Sequence, residues 1–169
     1  MHTFIIAAIS ADGLIAPSDD RGQASTSWTS KEDTTFFIER TKQAGVVVMG
    51  SRTFETIGKP LPGRLTVVYS DRGINYEGVE VTKKPPRELL ADLEARGYKE
   101  VAICGGASIY TLFMEAGAVD TVYLTVEPVF FGSGVRLFTK PVDARLSLVA
   151  VKQLSQNVIL LEYKVIHSG

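Results

Sequence analysis

The 169-residue sequence has one cysteine, two histidines and no long apolar run. A single thiol, Cys104, excludes a disulfide within the chain and a zinc site built from several cysteines. The histidines, His2 and His167, stand near opposite ends of the sequence, which disfavours a histidine metal site. The apolar run at residues 4–9 is too short for a membrane span, and no positively charged segment precedes it. We therefore expect no metal, no membrane association and a cytoplasmic location.

The sequence also has no excess of charge of one sign. Its 18 basic and 19 acidic side chains give a net charge of −1, whereas proteins that bind nucleic acid usually carry a clear positive patch. The length, with 45% apolar and 22% charged residues, is typical of a single globular domain over residues 1–169. We expect a small-molecule ligand, no nucleic acid, and either a monomer or a homodimer.

Apolar strand patterns alternate with helical patterns along most of the chain. The predicted strands are residues 4–9, 46–49, 65–69, 79–81, 101–104 and 119–126. The predicted helices are residues 29–44, 51–57, 86–96 and 107–116. Residues 146–154 and 158–165 are predicted to form a terminal antiparallel hairpin. This order indicates an α/β fold, with about four helices on both faces of a mostly parallel, twisted sheet of about eight strands.

Two of the predicted strands end in glycine turns that lead into helices, at residues 49–53 and 104–108. Ligands of open α/β sheets bind beyond the carboxyl ends of the strands. There, glycines let helix N–H groups approach a pyrophosphate, although such turns also occur where nothing binds. Arg52, Ser70 and Arg72 follow neighbouring strand ends. They suit a phosphate monoester, or they are ordinary solvated side chains.

Two charged residues have both a structural and a functional interpretation. Asp33 lies four residues before Phe37, so both face the same side of a helix. A carboxyl beside aromatic rings has a raised pKa and can handle a proton, but Ser30 three residues earlier also makes Asp33 part of a capping pattern. Arg64 follows a rigid proline–glycine turn, which suits either a carboxylate clamp or a surface ion pair. Trp28 is either a hydrophobic staple or a pocket wall.

Taken together, these motifs resemble the dihydrofolate reductase family. Residues 48–64 follow the central signature of that family nearly residue for residue. The spacing of Trp28, Asp33 and Phe37 resembles its substrate helix, and residues 103–110 resemble its second cofactor turn. The resemblance runs in the correct order from about residue 4 to residue 138.

The resemblance implies a dihydrofolate reductase-like fold and an NADPH-dependent oxidoreductase. The reaction would reduce 7,8-dihydrofolate to 5,6,7,8-tetrahydrofolate, with hydride transfer from the nicotinamide to C6 and protonation at N5. This would place the protein in tetrahydrofolate biosynthesis and one-carbon metabolism. In such a reaction the cofactor carries the hydride, while the protein supplies alignment and a placed carboxylate.

The resemblance also implies roles for individual residues. Asp33 would bond the pterin amidine, braced by Thr125, with Trp28 and Tyr110 completing the catalytic set. Arg64 would clamp the glutamate carboxylate. The implied substrate-binding residues are Ile6, Ala7, Asp33, Phe37, Ile57, Leu61, Arg64, Cys104 and Thr125. The implied cofactor-binding residues are Ala8, Ile15, Ala16, Gly50, Ser51, Arg52, Thr53, Ser70, Asp71, Arg72, Cys104, Gly105, Gly106, Ala107, Ser108, Ile109 and Tyr110.

A second resemblance leaves the substrate open. Residues 10–16, 25–30 and 128–134 resemble the pyrimidine reductase of riboflavin biosynthesis, which shares the fold and the NADPH chemistry. Its substrate, a ribosylamino-pyrimidine phosphate, needs a phosphate site, whereas Phe37 and Arg64 favour folate. A third possibility is a non-enzymatic ligand-binding module with this fold, for which we expect either that side chains fill the pocket around Asp33 or that the cofactor does not bind.

Overall fold

Strands and helices alternate along the chain in a computed structural model that describes residues 1–18 and 25–167. The strands are β1 His2–Ser10, β2 Leu14–Ala16, β3 Val46–Gly50, β4 Leu65–Tyr69, β5 Val79–Thr82, β6 Glu100–Ile103, β7 Thr121–Glu127, β8 Val135–Arg136, β9 Arg145–Gln153 and β10 Ile159–Ile166. The helices are α1 Lys31–Ala44, α2 Ser51–Ile57, α3 Pro86–Ala95 and α4 Ala107–Glu115. Within the described residues, no helix combines the length and the apolar character that crossing a bilayer requires.

Eight of these strands form one sheet in the order β5-β4-β3-β6-β1-β7-β10-β9. The pairs from β5 to β7 are all parallel, because helical crossovers return the chain to the same end of the sheet. The last two strands are a hairpin, and β10 runs antiparallel to β7. The predicted α/β class, the mostly parallel sheet and the antiparallel terminal hairpin are therefore confirmed.

Both faces of the sheet are covered by helices, as expected. Successive side chains of a strand point to opposite faces, and β3 follows this rule with apolar residues on both sides. Val47 and Met49 belong to the same buried cluster as Phe54 of α2. Val48 belongs to the cluster on the other face, together with Leu93 of α3. Apolar burial on two faces fixes the register of the central strands.

The predicted ends of these elements agree with the structure to within two residues. Helix α1 begins at Lys31 rather than at residue 29 because Ser30 is its N-cap, whose side chain accepts a bond from the Asp33 amide at 3.1 Å. Strand β7 begins at Thr121 rather than at residue 119 because Asp120 bonds Thr3 through both its amide and its carboxylate. Between β2 and α1, residues 19–24 lie outside the described residues, and Ser25–Ser27 forms a 3-10 turn.

A small second sheet, formed by β2 and β8, was not predicted from the sequence. Its two strands approach so closely that a Cβ atom on Gly134 would collide with the carbonyl oxygen of Ala16. The adjoining segments are also tied together, since the Asp12 carboxylate accepts bonds from the amides of Phe131 at 3.2 Å and Gly132 at 2.7 Å. Residues 12–16 are therefore fastened along residues 131–136.

Candidate active site

A cavity of about 620 Å³ opens where β1 and β6 end, between α1, α2 and the small β2–β8 sheet. Its position agrees with the rule that ligands of open α/β sheets bind beyond the carboxyl ends of the strands. Its volume is that of an ordinary small-molecule site. The described residues on its wall are Ile6, Ala7, Ala8, Ile15, Ala16, Pro17, Ser18, Ser25, Thr26, Trp28, Thr29, Asp33, Thr34, Phe37, Ile38, Arg52, Thr53, Thr56, Ile57, Leu61, Cys104, Gly105, Gly106, Tyr110 and Val135.

Most of this wall is apolar or uncharged. Among its described residues, the charged side chains are Asp33 and Arg52. Asp33 is partly buried on α1, whereas Arg52 is exposed on α2. Trp28 borders the opening and packs edge-on against Phe131, with ring centroids 5.0 Å apart. Such a cavity accommodates a flat heterocycle and offers it one carboxyl group to bond.

Asp33 lies in the capped first turn of α1 and places its carboxyl on the cavity wall. Its amide donates to Ser30 Oγ, which fixes the first turn of α1. Burial raises the pKa of its carboxyl above the ordinary value. A hydrogen bond from Thr125 acts in the opposite direction, and the nearby negative charge of Glu127 adds to the increase. The Ser30 cap is thus confirmed, but the second bond of a capping box is not formed with Asp33, because the Ser30 amide donates to Glu127. The Asp33 carboxyl therefore remains available for a ligand.

Strand β7 provides two buried polar side chains beneath the start of α1. Thr125 and Glu127 stand two residues apart and so share one face of the strand. They are only 1% and 2% exposed. Glu127 Oε1 accepts bonds from the amide and the hydroxyl of Ser30, at 2.9 and 2.8 Å. Sequence reasoning identified Thr125 but missed Glu127, although the two-residue strand period points from one to the other.

Tyr110 and Cys104 line the cavity as predicted, and both are neutral groups. The Tyr110 hydroxyl donates to the carbonyl oxygen of Ile6 at 2.9 Å, and burial raises the pKa of this phenol well above its usual value. Burial also raises the pKa of the Cys104 thiol to about 12. Neither group ionises near neutral pH, so they contribute shape and a fixed dipole, and neither is a nucleophile.

The two glycine turns predicted from the sequence meet beside the cavity. The Gly50 amide donates to the Gly105 carbonyl at 2.8 Å, which joins the end of β3 to the turn after β6. A Cβ atom on Gly106 would lie 3.5 Å from Thr53 Oγ1, so a side chain on Gly106 would occupy the space between this turn and α2. Helix α4 starts behind this turn at Ala107 with no side-chain cap. The Ile109 amide donates to the Gly106 carbonyl at 3.0 Å, whereas the amides of Ala107 and Ser108 have no partner among the described residues and can bond an anion. These residues fit the pyrophosphate of a dinucleotide.

Ten of the predicted site residues lie off the cavity wall. They lie behind the wall residues or at neighbouring strand ends. These ten residues are Gly50, Ser51, Arg64, Ser70, Asp71, Arg72, Ala107, Ser108, Ile109 and Thr125. The Ser70 hydroxyl is engaged within its own turn, since it donates to the Arg72 carbonyl at 2.6 Å and accepts from the Arg72 amide at 3.1 Å. The wall residues not predicted are Pro17, Ser18, Ser25, Thr26, Thr29, Thr34, Ile38, Thr56 and Val135.

Arg64 is held in a fixed position next to the cavity. Its Nη1 donates to Thr41 Oγ1 at 2.8 Å and its Nε donates to the Pro62 carbonyl at 2.9 Å. Within the described chain it has no carboxylate partner, so the surface ion pair considered as an alternative is not formed there. Burial lowers the pKa of its guanidinium, and its positive charge acts on Cys104, which is on the wall.

The fold and the site define a class of protein: an α/β reductase with a glycine-lined cradle for a dinucleotide beside an apolar cavity. The family follows from the sequence. Residues 3–133 match the model of the dihydrofolate reductase family, and the chain belongs to that family. Reductases of this family use NADPH, which agrees with the predicted cofactor and supports an oxidoreductase.

The similarity to known proteins covers nearly the whole chain. The uncharacterized protein YwjB of Bacillus subtilis is 28% identical, with 94% of this chain and 95% of that protein aligned. The structure of a putative riboflavin biosynthesis protein from Shewanella sp. PV-4 has a TM-score of 0.82 at 23% identity, covering 99% of this chain and 100% of that one. Dihydrofolate reductase from Enterococcus faecalis complexed with NADP(H) has a TM-score of 0.73 at 27% identity, covering 97% and 94%. Both resemblances noted in the sequence are therefore confirmed at the level of the fold.

Proposed function

We propose that the chain reduces 7,8-dihydrofolate to 5,6,7,8-tetrahydrofolate with NADPH as the hydride donor. The observation that carries this proposal is the Asp33 carboxyl, partly buried on an otherwise uncharged part of the cavity wall. A pterin ring presents an amidine with two N–H donors on one edge. A carboxylate accepts both bonds side by side, which fixes the ring in one orientation.

Family membership and the two glycine turns support NADPH as the cofactor. When bound, NADPH supplies the hydride that reduces C6 of the pterin. The Gly105–Gly106 turn and the start of α4 would hold its pyrophosphate. Ala16 and Thr53, which stand on the cavity wall, would border the nicotinamide. The fastened β2 strand would keep that wall in place and exclude water from the reacting atoms.

Proton delivery to N5 is assigned to the region around Asp33. Hydride addition to C6 uses the electrons of the C6–N5 double bond, so N5 must take up one proton for the reaction to balance. A raised pKa increases the affinity of the Asp33 carboxyl for a proton, and hence its ability to polarise the bonded pterin toward protonation. Trp28, at the edge of the cavity, would hold a water molecule near the ring.

The apolar section of the wall favours folate. Phe37, Ile57 and Leu61 line the cavity and suit the pterin and aminobenzoyl rings. Arg64, whose guanidinium has no carboxylate partner in the described residues, suits the glutamate tail. The described wall near residues 25–29 has hydroxyl groups and no basic side chain, so it makes a poor site for a phosphate ester.

The pyrimidine reductase of riboflavin biosynthesis is the second candidate. The observation in its favour is the set of hydroxyl side chains at one part of the wall, Ser25, Thr26 and Thr29, which can bond a ribosyl chain. For the ligand-binding alternative, we expected either a pocket filled by side chains or no cofactor binding. The open cavity of about 620 Å³ contradicts the first expectation, and NADPH binding tests the second.

The experiment that separates the two reactions is a parallel assay of NADPH oxidation with dihydrofolate and with a ribosylamino-pyrimidine phosphate. We expect saturable oxidation with dihydrofolate and a background rate with the pyrimidine. Preference for the pyrimidine by at least tenfold in kcat/KM would assign the second reaction instead. NADPH binding measured by fluorescence in the same preparation checks that the protein is competent in either case.

A further inference from the structure

Glu127 is a carboxylate enclosed beneath the first turn of the helix that carries Asp33. It is 2% exposed, and it lies outside the set of residues that touch the cavity. Burying a charged group is costly unless it is hydrogen-bonded. Here the Ser30 amide and hydroxyl both donate to the same oxygen, Oε1. These two hydrogen bonds therefore hold the Glu127 carboxylate in one place and offset the cost of burying it.

These bonds connect Glu127 to Asp33 through a single residue. Because the Ser30 hydroxyl gives its proton to Glu127, its lone pairs face the Asp33 amide, which donates to it at 3.1 Å. Glu127 thus orients the cap that fixes the first turn of α1. Thr125, its neighbour on the same face of β7, lies close enough to the Asp33 carboxyl for its hydroxyl to lower the pKa of that carboxyl. One strand therefore supplies both the group that orients the cap of α1 and a polar neighbour of the Asp33 side chain.

The charge of Glu127 acts on Asp33 as well. Its carboxylate and that of Asp33 lie near the start of the same helix, and a nearby negative charge disfavours ionisation of Asp33. Tyr110 of α4 interacts with Asp33 as a neutral phenol. Among the described residues, Arg52 shares the cavity wall but is exposed, and no cation is a cause of the Asp33 pKa shift. On its own helix, Lys31 and Glu32 are exposed side chains of opposite sign.

We propose that Glu127 is a positioning residue of this site, which orients the capped first turn of α1 and places a negative charge close to the Asp33 carboxyl. Its effect on turnover rests on the proposed function, whereas its effect on Asp33 does not. Glu127 acts through Ser30 and through its charge, without touching substrate or cofactor. The neutral, nearly isosteric glutamine removes the charge and keeps an oxygen that accepts the two Ser30 bonds.

The test is the titration of Asp33 followed by NMR in protein with ¹³C-labelled aspartate carboxyls, with the signal assigned by its loss in Asp33→Asn. We expect E127Q to lower the pKa of Asp33 by about half a unit or more, as removal of a neighbouring like charge requires. Glu32→Gln is the matched control. It makes the same chemical change one residue from Asp33 but on an exposed side chain, and its shift should be less than half as large. Equal shifts in E127Q and E32Q, or no shift in E127Q, would overturn the proposal.

The activity of the same variants gives an independent readout. If Asp33 must hold a proton for N5 to receive one, the fall in turnover at high pH should begin at lower pH in E127Q, by the shift that NMR measures. A change in stability without a change in the pH profile would make Glu127 merely structural. Should E127Q fail to fold, E127L is a second neutral variant with the same expected direction. A shifted Asp33 titration in a protein that does not reduce dihydrofolate would refute the proposed function and leave this inference standing.

Discussion

At the scale of the residue, Asp33 couples the stability of the protein to pH. Burial, the largest cause, raises the pKa of its carboxyl in the folded protein. The favourable contribution of Asp33 to folding is therefore complete below the unfolded value of 3.8 and is lost as pH rises through the folded pKa. Above that range, the folded protein must hold a partly desolvated carboxylate, which costs stability. A side chain selected only for stability would avoid this cost.

Replacing Asp33 by asparagine should therefore stabilise the protein at neutral pH. The amide keeps the size of the side chain and never ionises, so the variant avoids this cost, at about 1.4 kcal/mol for each unit of pKa shift. The measurement is urea unfolding of wild type and D33N at several pH values. We expect the advantage of D33N to shrink as pH falls toward 3.8. An advantage that is constant with pH would mean that the folded pKa of Asp33 is not raised.

Arg64 offers a test of the substrate at the residue scale. Its guanidinium is oriented by Thr41 and by the Pro62 carbonyl, and it is not among the causes of the Asp33 pKa shift. We expect Arg64→Leu to raise the KM for dihydrofolate by about tenfold or more, since a charged hydrogen bond contributes about 1.5–3 kcal/mol, and to change kcat little. Steady-state kinetics at fixed NADPH measure both constants. An unchanged KM would favour the pyrimidine substrate.

At the scale of the element, the small β2–β8 sheet decides the shape of the cavity. It contributes Ile15, Ala16 and Val135 to the wall. The two strands meet at Gly134, where no side chain fits against the Ala16 carbonyl. The two strands of this sheet are therefore held together by their backbones rather than by buried side chains.

A methyl group at Gly134 should push these strands apart. We expect Gly134→Ala to weaken NADPH binding by about tenfold and to destabilise the fold by about 1–3 kcal/mol, as overpacking does. Fluorescence titration of NADPH and thermal unfolding measure the two effects. Gly132→Ala is the matched control, because Gly132 also has a positive φ, of 74°, but open space around its Cα. Equal losses in both variants would show that backbone strain, and not the contact with Ala16, is responsible.

The elements differed in how far the sequence could predict them. The main strands and helices are marked by apolar runs, glycines and the Ser30 cap, so their ends were predicted to within two residues. β2 and β8 have three residues and two residues, too few for a periodic pattern. Glu127 was missed because its role depends on where α1 begins above β7. For the same reason, the sequence indicated Asp33 and Thr125 as site residues only through the family resemblance. Their proximity results from the packing of α1 on β7 in the folded protein.

At the scale of the whole molecule, a polar cluster near the amino-terminal ends of the parallel strands joins three elements far from the cavity. Arg40 of α1 donates to both carboxylate oxygens of Glu100 at the start of β6, at 3.2 and 2.5 Å. His2 of β1 contacts Glu100 at 2.9 Å. The Arg40 guanidinium also lies 4.1 Å from the centre of the Phe4 ring. The cluster connects a covering helix to the two central strands.

Glu100→Gln should lower stability without changing turnover. Hydrogen bonds from Arg40 are the main cause that lowers the pKa of Glu100, so its contribution is present above 4.5 and is lost as pH falls through the folded value. We expect a loss of about 1–3 kcal/mol at neutral pH, which disappears in acid. Thermal unfolding across pH measures it. A loss that persists in acid would mean that packing, rather than charge, accounts for the effect.

The most direct test of the account is the oxidation of NADPH by the purified protein with dihydrofolate, beside Asp33→Asn. The wild type should oxidise NADPH only when dihydrofolate is present. D33N should be slower by a factor of about 10² to 10⁴, the range that a positioned proton-handling group contributes, while NADPH binds both proteins equally. Comparable rates in wild type and D33N, or no oxidation by a wild type that binds NADPH, would contradict the assignment of dihydrofolate and of Asp33 to this cavity.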